Sequence, residues 1–188
     1  MRSTEQRRTS PLMDPRKQVF HGKIIDVAFE RVTLPSGRDA ELEIVRHPGG
    51  AAVVALDSAN KVCLLRQYRH AAGGWLWELP AGKLDGGEPP LTTAQRELQE
   101  EAGLRADQWE SLGRIVSSPG VFTEVVHLFL ARALTPVESA TEEHELIEVH
   151  WLPFDDTLAM AHNGEIVDAK SVAGLFRATP HVAVARTF

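Results

Sequence analysis

Residues 82–104 read Gly-Lys-Leu-Asp-Gly-Gly-Glu-Pro-Pro-Leu-Thr-Thr-Ala-Gln-Arg-Glu-Leu-Gln-Glu-Glu-Ala-Gly-Leu, and the fold is decided here. Leu91, Ala94, Leu98 and Ala102 recur at spacings of three, four and four, which marks one apolar face of a helix. Thr92 or Thr93 can cap its start, and Gly103 suits the left-handed position after its last turn. The polar side is unusual. Glu97 stands three residues before Glu100 and four before Glu101, so the three carboxylates crowd one flank. Like charges at these spacings destabilise a bare helix by about 0.2–0.5 kcal/mol per pair, and Arg96 offsets only part of that. By themselves three such glutamates usually mean a solvated acidic face. Hard oxygen ligands on a rigid helix also suit Mg²⁺ or Mn²⁺, and a bound cation removes the repulsion.

The surrounding residues choose between these readings. Five residues separate Gly82 from Glu88, and seven separate Glu88 from Arg96. Arg96 to Leu104 then runs on without a gap. In this arrangement the chain resembles the Nudix hydrolase family at every defining position of its motif. An accidental match is expected about once in 10⁹ frames from background residue usage. The resemblance implies a Nudix-type mixed-sheet α/β/α sandwich, of the α/β (α+β) class, and a metal-dependent pyrophosphohydrolase. Gly82, Gly86 and Gly87 permit a tight loop before the helix. Glu88 is placed to pair with Arg96 and brace that loop. Glu97 and Glu101 are the expected principal metal ligands, Glu100 assists, and the family's use of the carbonyl before the first glycine points to Ala81. Metal and arginine are expected to absorb charge developing on the phosphates, and Arg96 is counted among the expected catalytic residues.

Outside the motif, three features resemble the ADP-ribose pyrophosphatase branch. Arg66-Gln67-Tyr68-Arg69 followed by Trp75-Leu76-Trp77-Glu78-Leu79-Pro80-Ala81-Gly82 resembles its lead-in. Pro119 follows Leu104 by 15 residues, where that branch carries a proline. A hairpin before residue 50 resembles the arm those enzymes exchange in a homodimer. Arg66, Arg69, Trp77, Glu78 and Pro119 are therefore the expected substrate contacts. Each has a plainer alternative: Trp75 and Trp77 share one side of a strand and suit core or interface packing, and Pro119-Gly120 is by itself a turn. The branch draws its general base from a glutamate in a loop after the motif. Glu143 is the first candidate, and Glu145 the second because it can instead bind metal. The expected reaction is cleavage of ADP-ribose to AMP and ribose 5-phosphate. Alternatives are hydrolysis of another nucleotide sugar or a dinucleotide, or a non-catalytic ADP-ribose sensor, which an intact motif disfavours.

Composition sets the frame. The 188 residues are 43% hydrophobic and 24% charged, close to the globular average. A net charge of -6 argues against a general affinity for nucleic acid or anionic membrane. The apolar run from Ala51 to Leu56 is far too short to span a bilayer. Cys63 is the only cysteine and sits in an apolar run, so it reads as a buried small hydrophobe, and a reducing cytoplasm is expected. Residues 1–17 read as a disordered tail, 18–50 as a β arm for dimerisation, 51–180 as the catalytic domain and 181–188 as a tail. Strands are expected at 22–34, 39–46, 51–56, 62–68, 75–79, 111–117, 124–133 and 146–152, with further helices at 155–162 and 168–178.

Overall fold

The computed structural model describes residues 15–139 and 146–182. The strands are β1 (Arg16–His21), β2 (Asp26–Thr33), β3 (Asp39–Arg46), β4 (Gly50–Ala55) and β5 (Lys61–Arg69). They continue as β6 (Gly74–Glu78), β7 (Ala81–Lys83), β8 (Leu104–Val116), β9 (Val125–Pro136) and β10 (Ile147–Pro153). Three helices join them: α1 (Pro90–Ala102), α2 (Phe154–Asn163) and α3 (Ala169–Ala178).

The β4 strand explains the architecture. It is buried at every position, pairs in parallel with β9 and antiparallel with β7, and so lies inside the sheet β7-β4-β9-β8. Side chains alternate across a strand. Ala51, Val53 and Ala55 pack with Ala94 and Leu98 of α1. Ala52 and Val54 pack instead with Phe154 of α2 and Leu175 and Ala178 of α3. A strand that is apolar on both faces thus becomes the middle layer of an α/β/α sandwich. A second sheet, β10-β5-β6, contributes Val62 and Leu64 to one core and Cys63 to the other.

The N-terminal strands form a separate antiparallel sheet, β1-β2-β3. Its tie to the body is backbone pairing: Val45 N–H donates to Val121 O at 2.7 Å, and Thr123 N–H to Val45 O at 3.0 Å. The strand expected at 22–34 begins only at Asp26, because residues 22–25 form a turn in which Gly22 N–H donates to Ile25 O at 2.9 Å. Before it, β1 begins at Arg16, inside the stretch expected as a tail. Residues 1–14, 140–145 and 183–188 lie outside the described residues, and with them most of both expected tails, Glu143 and Glu145.

Two further boundaries bear on the site. The strand expected at 111–117 starts seven residues earlier, at Leu104, and bends at a bulge where Gly113 takes φ 83°. The start of α1 is set by Pro89 as N-cap with Pro90 in the first turn, where proline's missing N–H costs nothing. Neither threonine caps it. The Thr93 hydroxyl donates instead to Glu88 Oε2 at 2.8 Å, tying the helix to its preceding loop. Among the described residues no helix is long and apolar enough to cross a membrane.

Candidate active site

A cleft of about 720 Å³ opens beside the polar flank of α1. Its lining includes Glu97, Glu100 and Glu101 from α1, Ala81 and Gly82 from β7, and Arg69 from the end of β5. The apolar stripe of α1 is held on β4, so its carboxylate flank is turned toward β7 and the cleft. Two close approaches fix that flank. Ala81 N–H donates to Glu101 Oε2 at 2.8 Å, and the Glu101 residue is only 4% exposed. The Glu97 carboxylate lies against Gly82 so tightly that any Cβ there would overlap it.

Arg96 organises the rest. It donates to Glu97 Oε1 at 2.7 Å, Glu100 Oε2 at 2.9 Å, Glu88 Oε2 at 3.3 Å and the Lys83 carbonyl at 3.3 Å. Burial works against its charge, but the hydrogen bonds it donates to Glu88, Glu100 and Glu97 and the nearby anionic charge hold the guanidinium protonated well beyond its ordinary range. Glu88 is held below the usual carboxylate range, first by the Thr93 hydroxyl and then by Arg96. Arg96, expected among the catalytic residues, lines the cleft and braces the carboxylates of α1. Cys63 is buried, and burial followed by the Glu101 charge pushes its thiol up to about 12, so it is no nucleophile at neutral pH.

The donor set suits a divalent cation: hard carboxylate oxygens share one helix flank beside a backbone segment that approaches closely because Gly82 lacks a side chain. The oxygens are not already gathered into a metal cluster. Among the described residues no three His, Cys, Asp or Glu stand together as a metal site; Glu97 and Glu100 share Arg96 Nη1, and Glu101 accepts from Ala81 N–H.

The expected substrate contacts separate into two groups. Arg69 lines the cleft. Glu78, only 2% exposed, lies beneath it and receives Arg69 Nε at 2.8 Å and Nη2 at 3.0 Å. Arg66, an odd number of residues away on β5, faces the other side of the sheet. There its guanidinium lies 5.5 Å from the centroid of the Trp77 ring, which meets His150 edge-on at 4.9 Å. Arg66, Trp77 and Pro119 are not among the residues lining the cleft.

The cleft also holds charged and titratable residues that the sequence alone does not point to, among them His47, Glu124, Asp168 and Lys170. His47 and Glu124 both line it and approach to 3.5 Å, brought together when β3 meets the 118–123 segment. Lys170 and Asp168 enter from the first turn of α3. Separations of 77 and 92 residues (His47 to Glu124, Glu78 to Lys170) leave no local pattern to find.

Comparison with known proteins matches the NUDIX domain family model over residues 46–175. The chain is 40% identical over 158 residues to the ADP-ribose pyrophosphatase of Bacillus subtilis (strain 168), covering 83% of this chain and 85% of that protein. It is 39% identical to the methanol dehydrogenase activator of Bacillus methanolicus, with the same coverage of 83% and 85%. A crystal structure of an ADP compounds hydrolase superposes with a TM-score of 0.75 at 21% identity, over 88% of this chain and 90% of that one. At that identity the likeness speaks for the fold.

Proposed function

This chain belongs to the Nudix family, and from that premise we propose that it is a divalent-metal-dependent pyrophosphohydrolase splitting ADP-ribose into AMP and ribose 5-phosphate. The observation that carries the reading is the cleft in which the carboxylates of α1 and the Arg69 guanidinium line one space. A diphosphate needs positive charge, and an acidic protein supplies it there through basic side chains that include Arg69, together with a bound cation. The 40% identity to a relative named for this activity supports the choice of ADP-ribose.

We assign Glu97 and Glu101 as the principal metal ligands, with Glu100 and the Ala81 carbonyl assisting, and Mg²⁺ (or Mn²⁺) as the metal. Such a cation, when bound, neutralises phosphate charge and favours attack by water. Arg69 binds the diphosphate, clamped in place by Glu78. Arg96 keeps the ligand carboxylates ordered. Water attacks one phosphorus, the bond to the bridging oxygen breaks, and the departing phosphate leaves as a monoester. The water's proton passes to a carboxylate, Glu143 in our first assignment and Glu145 in our second.

The arm supports a homodimer. Val19, Phe20 and Ile24 are each more than half exposed in the single chain, an apolar surface that a second copy would cover. The lone cysteine supports a cytoplasmic setting. The test is a panel of ADP-ribose, GDP-mannose, UDP-glucose and diadenosine compounds with Mg²⁺ or Mn²⁺, with products followed by chromatography. ADP-ribose turning over fastest, with AMP as product, is the expected result. Preference for another compound by tenfold or more would overturn the substrate assignment and leave the reaction class standing.

A further inference from the structure

Lys170 carries no motif and lies 92 residues beyond the carboxylate it meets. Its ammonium donates to Glu78 Oε2 at 2.5 Å and lies 3.0 Å from Asp168 Oδ1. The other side of the Glu78 carboxylate is gripped by Arg69 through Nε and Nη2. One buried anion is therefore shared by two cations, and both cations line the cleft. Burial pushes the Glu78 carboxyl up, but the bonds from Arg69 and the charge of Lys170 outweigh that and hold it below the usual range.

The Lys170 end of this chain is itself fixed. Asp168 is the N-cap of α3, accepting Ser171 N–H at 3.0 Å and the Ser171 hydroxyl at 2.5 Å. That hydroxyl also accepts Leu79 N–H at 2.8 Å. Leu79 leads through Pro80 into Ala81, whose N–H holds Glu101. The first turn of α3 thus braces both the arginine side and the carboxylate side of the cleft.

We propose that Lys170 is a positioning residue for the diphosphate: by sharing the Glu78 carboxylate with Arg69, it leaves the Arg69 guanidinium anchored yet electrostatically available to a substrate phosphate. Without Lys170, Glu78 has Arg69 as its sole close cation, and the arginine's charge is spent inside the protein wall. With Lys170 in place, Nη1 and the outward edge of Arg69 can serve the cleft, because two of its donors already fix its plane. The inference rests on the reading of the cleft as a diphosphate site, and it adds the residue that tunes it.

The test is calorimetric titration of ADP-ribose into the full-length protein in EDTA, comparing wild type, Lys170→Met, Lys170→Arg, Glu78→Gln and the double variant Lys170→Met/Glu78→Gln. Lys170→Met is expected to weaken binding about tenfold and Lys170→Arg to recover most of it. With metal, KM should rise about tenfold for Lys170→Met while kcat stays within about threefold. In the Glu78→Gln background the lysine change should add little, since the two act through one carboxylate. That double variant also carries no lone buried charge, so it keeps the comparison available if Lys170→Met alone does not fold. Wild type that neither binds nor cuts ADP-ribose overturns the substrate reading instead, and the same comparison then runs with inorganic pyrophosphate. Equal affinities of folded wild type and Lys170→Met for the probe overturn the inference, as does full additivity in the cycle.

Discussion

Gly82 and Glu97 depend on each other, because the carboxylate occupies the space a side chain at Gly82 would fill. Gly82→Ala should therefore displace the carboxylate and lower kcat by about 10²-fold, the usual cost of misplacing a catalytic group by an ångström. Steady-state kinetics beside a melting curve separates this from unfolding; unchanged kcat would show that Glu97 has room to move. Glu78 gives a pH signature. Its folded carboxyl lies below its ordinary value, so the stability it contributes is complete above that value and is lost as pH falls through the folded one. Glu78→Gln should flatten the acid limb of Tm against pH below about pH 4.5. An acid limb as steep as wild type would contradict the assignment. These residues differ in legibility. Gly82, Glu97 and Glu101 announce themselves through fixed spacing, whereas the partners of Glu78 come from β5 and α3 and no local pattern joins them.

At the scale of elements, α1 is the part whose sequence most nearly states its structure. Ala94, Leu98 and Ala102 of its apolar stripe pack in the core beside β4, Leu91 of the first turn stays exposed, and Gly103 closes the helix at φ 63° with its N–H on Gln99 O at 3.0 Å. Gly103→Ala should cost about 1 kcal/mol or more in urea unfolding, since the left-handed conformation disfavours a Cβ. The added carbon also meets Val137 O at 3.1 Å. No loss of stability would mean the turn relaxes. The start of α1 was less legible because two prolines end the loop and Thr93 serves Glu88 rather than the helix terminus. On β5, period two was the overlooked rule. Arg66 and Arg69 look like a pair in sequence, yet an odd spacing sends them to opposite faces, and only Arg69 meets the cleft. The three-residue β7 was too short to carry a period at all.

At the scale of the whole molecule, the sandwich presents α1, β7 and α3 to one cleft, and the arm β1-β2-β3 hangs from the body by edge pairing near β3. The sandwich was legible through the motif's family resemblance, and the structure supplies its physical reason: β4 packs apolar side chains on both faces, with helices on each side. The turn between β1 and β2 was not legible, since Ile24 and Ile25 read as the start of the strand that follows. If the arm serves a second copy, light scattering should give twice the 20.7 kDa chain mass at micromolar concentration, and replacing Phe20 and Ile24 with Ser should shift it toward the monomer. A monomeric wild type would contradict the homodimer. We propose that the α1 carboxylates hold the metal that makes this cleft a hydrolase. The measurement that addresses it most directly is ADP-ribose turnover with Mg²⁺ by wild type and Glu101→Gln, with matched circular dichroism and Mn²⁺ binding. Wild type should turn over and lose activity in EDTA, while the folded variant should bind Mn²⁺ poorly and fall by about 10³-fold or more in kcat. A folded Glu101→Gln that binds Mn²⁺ and hydrolyses ADP-ribose as wild type does would contradict the account.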